Sequence, residues 1–79
     1  MTYLQPWIIE RHINGRWESI GTPEVVIGVP PYTVIHSEMR RRAAVRIRSH
    51  RNLRRTHRIA LALMPFRLHA YEPVRFDGV

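Results

Sequence analysis

The stretch Trp7–Ile20, WIIERHINGRWESI, decides how this 79-residue chain is read, because Asn14-Gly15 stands between two half-apolar runs. Asn and Gly tolerate φ > 0, which both central positions of a type I′ turn require, and the twist of that turn matches the strands it joins. Placing the two residues in the loop fixes a register: Ile13 faces Arg16, His12 faces Trp17, Arg11 faces Glu18 and Ile9 faces Ile20. That register gives one opposite-charge pair and two pairs with good contact area, each stabilising by roughly 0.2–1 kcal/mol. An N-terminal β-hairpin is therefore expected.

Downstream, TPEVVIGVPPYTVIH (22–36) is punctuated by Pro23, Gly28, Pro30 and Pro31 into two short β-branched runs, Val25 to Val29 and Tyr32 to Ile35. β-branched residues and prolines both argue against helix, and a pause at Pro-Pro lets Val25 to Val29 pair as a third strand. Ser37-Glu38 then reads as a helix start, with Ser37 as N-cap and an acid in the first turn where the helix dipole favours it. The helix is expected to run to about Asn52 or Arg55. At ~100° per residue Met39, Ala43, Ile47 and His50 fall within about 80° of one another, with Leu53 beside them, and form a narrow apolar stripe.

The opposite side of this helix is arginine. Nine arginines lie between Met39 and Arg58, with Glu38 the nearest acid, so the whole net charge of +7 resides in one segment. Arg41, Arg48 and Arg55 recur every seven residues. Arg40, Ala44, Arg51 and Arg58 fall beside them on the helical projection. Arg40, Arg41, Arg48, Arg51, Arg55 and Arg58 thus share an arc of roughly 100° and are the candidate partner-binding residues. No Glu is expected at i, i+4 to offset them, and like charges at that spacing destabilise a helix by a few tenths of a kcal/mol per pair. The bland alternatives are a solvated face that keeps a small protein soluble and a coding bias toward arginine, since the chain has no lysine.

Beyond the helix, Ile59, Leu61 and Leu63 alternate with alanines, and past Pro65 the residues Phe66, Leu68 and Ala70 alternate with Arg67, His69 and Tyr71. Two strands fit this pattern, while a short second helix ending at Pro65 stays open for residues 59–64 because ALALM contains good helix formers. The tail EPVRFDGV reads as a trailing edge or a loosely held end. The expected fold is α+β: an antiparallel sheet of four to five strands with an N-terminal hairpin, packed on one arginine-rich helix. One small domain is expected over residues 1–79.

No chemistry is legible. The chain has no cysteine, hence no disulfide and no thiolate metal site, which fits a reducing, cytoplasmic setting. His12, His36, His50, His57 and His69 lack ligand spacing, and Ser19, Ser37 and Ser49 lack a nucleophile motif. The glycines are too scattered for a phosphate-cradling loop. The expectation is a non-enzyme with no catalytic residue, no cofactor and no metal. Trp7, Trp17, Tyr3, Tyr32, Phe66 and Tyr71 are read as core or rim, ahead of a base-stacking role. There is no signal-peptide pattern and no apolar run near the roughly 20 residues that span a bilayer, so a soluble, unprocessed protein is expected.

An arginine face calls for an anionic partner. A membrane surface is set aside because the helix lacks a strongly apolar opposite face. Nucleic acid is served by an arginine row along a helix, with backbone binding favoured over base reading, since Ser49, His50 and Asn52 are the sole base-reading candidates. The order of elements, a hairpin WIIERHINGRW with an Asn-Gly turn and bracketing tryptophans, then one arginine-rich helix and closing strands, resembles small phage-encoded accessory proteins, among them anti-CRISPR proteins. That resemblance implies a stoichiometric inhibitor that engages an acidic surface of a host nucleoprotein complex from within the host cytoplasm. The alternative is a regulator or architectural protein that binds DNA or RNA directly. The apolar run Val25 to Val29 also makes a homodimer a candidate state.

Overall fold

The computed structural model describes residues 1–53 and 65–77. Two strands, β1 (Thr2–Ile13) and β2 (Arg16–Gly28), are followed by one helix, α1 (Tyr32–Leu53), and then by β3 (Phe66–Ala70) and β4 (Val74–Phe76). The strands form one antiparallel four-stranded sheet in which β1 is central: β2 lies along one side, and β3 and β4 share the other. The fold is α+β, with the sheet packed on one helix.

The hairpin forms in the expected register, with Ile13 opposite Arg16, His12 opposite Trp17, Arg11 opposite Glu18 and Ile9 opposite Ile20. Asn14 (φ 52°) and Gly15 (φ 79°) both occupy the left-handed region that a type I′ turn demands. The run Val25 to Val29 does not make a separate third strand, because its first four residues are the far end of β2 itself. Past a bulge in which residues 21–23 of β2 face Ile8, that end pairs Val25 with Pro6, Val26 with Gln5 and Ile27 with Leu4. Pro6 is tolerated inside the central strand for a geometric reason. Its carbonyl accepts from Tyr71 N at 3.0 Å, so its missing N–H faces the 71–73 link, where the neighbour on that side changes from β3 to β4.

The helix begins at Tyr32, immediately after the cis Pro30-Pro31 bond, and not at Ser37. Ser37 lies inside the helix, and the run Tyr32 to Ile35, read from its β-branched residues as non-helical, forms the first turn. Tertiary contacts outweigh local preference here. Ile35 is buried and packs on Gly28 so closely that a Cβ there would stand 2.8 Å from Ile35 Cγ1. Burying such a side chain stabilises by about 1.5–3 kcal/mol, against a few tenths of a kcal/mol per residue for β-branched helix propensity.

The core lies between sheet and helix: Trp7, Ile9 and Val26 meet Ile35, Met39 and Ala43, with Tyr3, Ile20, Tyr32, Ile47, Phe66 and Leu68 packed around them. Met39, Ala43 and Ile47 are the stripe expected from periodicity. Among the described residues one polar side chain is fully buried with them. Gln5, at 0% exposure, donates through Nε2 to Pro6 O (2.9 Å) and Tyr71 O (2.7 Å), and its Oε1 accepts from the Tyr32 hydroxyl. This satisfied amide ties the central strand, the helix start and the end of β3 to one another. The tail forms β4, a trailing edge strand on β1. Residues 59–64, left open between strand and helix, lie outside the described residues.

Candidate functional site

The ridge that α1 turns away from the sheet is made by its own periodicity. Met39, Ala43 and Ile47 face the core, so at ~100° per residue Arg41 and Arg48 point nearly opposite, Arg40 and Arg51 stand on the flank about 60–80° from the stripe, and all four are exposed. Arg40 to Arg51 extends about 16 Å along the axis at ~1.5 Å per residue. Arg55 and Arg58, the other two candidates, lie outside the described residues.

What distinguishes these arginines is where the acids go. Glu18 reaches Arg11 (3.7 Å) and Arg16 (3.3 Å), Glu10 reaches Arg67 (2.7 Å), and Asp77 reaches Arg75 (3.5 Å). Glu24 reaches Arg46 at 3.4 Å. The helix does contain a compensating acid, contrary to the sequence expectation. Glu38 accepts from Arg41 Nε (3.0 Å) and Nη2 (2.6 Å) and from Arg42 Nε (2.9 Å). The hydrogen bonds from Arg41 and then Arg42 pull the Glu38 carboxyl down to about 2, and the same contact raises Arg41 above its ordinary value. Among the described residues Arg40, Arg48 and Arg51 are the arginines left without a carboxylate within 4.0 Å, and all three belong to the predicted arc. Arg51 lies 5.7 Å from the Phe66 ring centroid, which holds its guanidinium at the surface without neutralising it.

Arg46 is different in kind. Only partly exposed, it stacks its guanidinium 5.4 Å over the buried Trp7 ring while pairing with Glu24. It fastens α1 to β1 and β2, and its charge is already matched by Glu24.

A second polar cluster, which the sequence reading did not single out, occupies the hairpin end of the outer sheet face. Arg67 lies 4.1 Å over the Trp17 ring and donates to Glu10, His12 packs edge-on against Trp17, and His69 packs edge-on against Tyr71. The hairpin register together with the alternation of β3 contains this cluster, since Glu10 sits opposite Arg67 and His12 opposite Trp17. Its charges are mutually satisfied. Trp7 is core, Tyr3, Tyr32 and Phe66 pack against the core, Trp17 is half-buried under Arg67 and Tyr71 is exposed. Among the described residues no three His, Asp or Glu side chains group as metal ligands, and no helix is long and apolar enough to cross a membrane. No family model, no curated protein and no solved structure matches this chain.

Proposed function

We propose that the protein is a non-catalytic, stoichiometric binding protein that presents the arginine ridge of α1 to an anionic surface of a nucleic-acid-handling complex and blocks it, in the manner of phage-encoded inhibitors such as anti-CRISPR proteins. One observation carries the reading: the paired acids are directed to other arginines, while Arg40, Arg48 and Arg51 are left, among the described residues, as unneutralised cations on one exposed ridge. A guanidinium fork binds carboxylate or phosphate in two-point fashion, so such a ridge recognises a row of anionic oxygens. Arg41 and Arg42 can join by exchanging Glu38 for a stronger anion, and Arg55 and Arg58, which lie outside the described residues, are proposed to take part in binding.

A second reading, direct binding to a DNA or RNA backbone, is favoured by the axial run of the ridge, which suits a line of phosphates better than a single point site. Fluorescence-anisotropy titration against duplex DNA, single-stranded DNA and RNA at several salt concentrations separates the two. Three phosphate contacts give a slope of log K on log salt of about −3, from ~0.9 per contact, and this result selects direct binding. Little binding near physiological salt, together with capture of a nucleoprotein complex by wild-type protein but not by R40Q/R48Q/R51Q, selects the inhibitor reading. If the triple variant performs like wild type in both assays, the ridge is not the working surface.

A further inference from the structure

The sheet face turned away from α1 is polar at the hairpin end and apolar at the other. Strand register sets Leu4 between Ile27 and Val74, Pro6 beside Val25 and Thr2 beside Phe76. Ile27 is 67% exposed, Phe76 51% and Val74 50%, and Val25 and Tyr71 are exposed with them. Among the paired strand residues at this end none on this face is charged: Glu24 and Arg75 lie opposite Trp7 and Tyr3, on the helix side, and Glu10 and Arg67 pair farther along. The patch opens on the order of 500 Å² of apolar surface to water, in the upper part of the roughly 300–600 Å² of the largest patch on a monomer, which is often a functional one.

We propose that this face is a homodimer interface, on which a second copy seats the same patch about a two-fold axis to give a helix–sheet–sheet–helix sandwich. Charge identifies the occupant and the geometry. A chain of net charge +7 meets its own copy at low electrostatic cost only where the arginine ridges stay far apart. Helix on sheet and sheet on sheet each add about 10 Å, so back-to-back packing separates the two helices by roughly 30 Å, more than three Debye lengths of ~8 Å at physiological salt. Pairing through the outer edge of β2, which carries no strand among the described residues, would instead set both helices side by side on one face of a continuous sheet. A patch without charges offers nothing for a charged partner to read, whereas an isologous contact requires only that it complement itself. The area agrees: a standard interface buries about 800 Å² per partner and homodimer interfaces are about 65% apolar, which is close to what this patch supplies.

Multi-angle light scattering with size exclusion, from low to high micromolar protein, tests the proposal on the full chain. The expected mass is twice 9.4 kDa. Ile27→Glu on β2 and Val74→Glu on β4, at opposite sides of the patch, should each weaken dimerisation at least about a hundredfold with an unchanged far-UV circular dichroism spectrum. A wild-type chain that stays monomeric at high micromolar concentration overturns the proposal, as does a dimer that survives both variants. A dimer lost in Ile27→Glu but kept in Val74→Glu assigns the contact to the β2 edge and also overturns it. Should a variant unfold, dilution-dependent methyl shifts in the wild-type protein decide: shifts at Ile27 and Val74 support the face, and shifts confined to α1 refute it.

Discussion

On the side of α1 that meets the sheet, Arg46 lies over the Trp7 ring and reaches Glu24; on the side that meets water, Arg48, two residues on, has no acidic partner among the described residues. The two sides use one residue type for opposite purposes. Inward, the guanidinium's weak hydration and planar face let it cover an indole and bind a carboxylate, so it acts as packing. Outward, the same group keeps its charge and its donors available. The difference teaches that arginine count is a poor guide to a binding surface, and that the distribution of the acids is a better one. Glu24 and Glu38 remove Arg46, Arg41 and Arg42 from the free set, and what remains is a ridge.

The comparison breaks first if the inward side is not structural. Trp7 is fully buried beneath Arg46 and touches both layers of the core, so Trp7→Ala should lower the unfolding free energy by about 3–5 kcal/mol in urea denaturation. That is most of the stability of a domain this small, and partial unfolding at room temperature is expected. Arg48→Ala, by contrast, should stay within about 0.5 kcal/mol of wild type. Equal losses at the two positions would erase the distinction. The next effect in size falls on the buried amide. Tyr32→Phe removes the hydroxyl that Gln5 Oε1 accepts from and leaves a fully buried acceptor unsatisfied, at a cost of about 1–3 kcal/mol. The double variant Gln5→Leu/Tyr32→Phe should recover part of it, measured as a mutant cycle in thermal melts.

Local chemistry made the hairpin legible down to its register, because a two-residue Asn-Gly turn and the period of two leave one pairing that suits both. The arginine arc was legible for the same kind of reason, since the helical period sorts Arg40, Arg41, Arg48 and Arg51 from the Met39–Ala43–Ile47 stripe. The helix start was not. Ser37-Glu38 carries the local signal of a cap, while the forces that begin the helix at Tyr32 are Ile35 against Gly28 and the Tyr32 hydroxyl against Gln5, contacts across other elements. The long reach of β2 was hidden likewise, because the bulge at 21–23 interrupts the pattern that would have joined its halves. Pairing of acids was the part of the site least accessible to inspection. Glu24 and Arg46 are brought together by the packing of α1 on β2, and Glu38, read as a cap-proximal acid, becomes an ion-pair partner only once the helix extends on both sides of it.

Glu38 gives the smallest and most discriminating test, because it sits on the border between the two kinds of arginine. Its carboxyl is drawn from 4.5 down to about 2 by the hydrogen bonds from Arg41 and Arg42. A folded-state value below the unfolded one means that the ionised form stabilises the fold. That contribution is complete above about pH 4.5 and is lost as the pH falls toward 2. A carbon-detected titration of Glu38 should place its midpoint near the low end of that window, accompanied by a slight loss of helical signal. Exposure keeps the effect on stability small. The effect on binding has the opposite sign: Glu38→Gln releases Arg41 and Arg42 onto the ridge, so anion affinity should rise, and if both cations engage phosphate the salt slope should steepen by up to about 2, at ~0.9 per contact. Higher affinity with lower stability is the signature of an acid that holds binding arginines in reserve. If Glu38→Gln leaves both the affinity and the slope unchanged, Arg41 and Arg42 belong with Arg46 among the structural arginines, and the proposed binding ridge narrows to Arg40, Arg48 and Arg51.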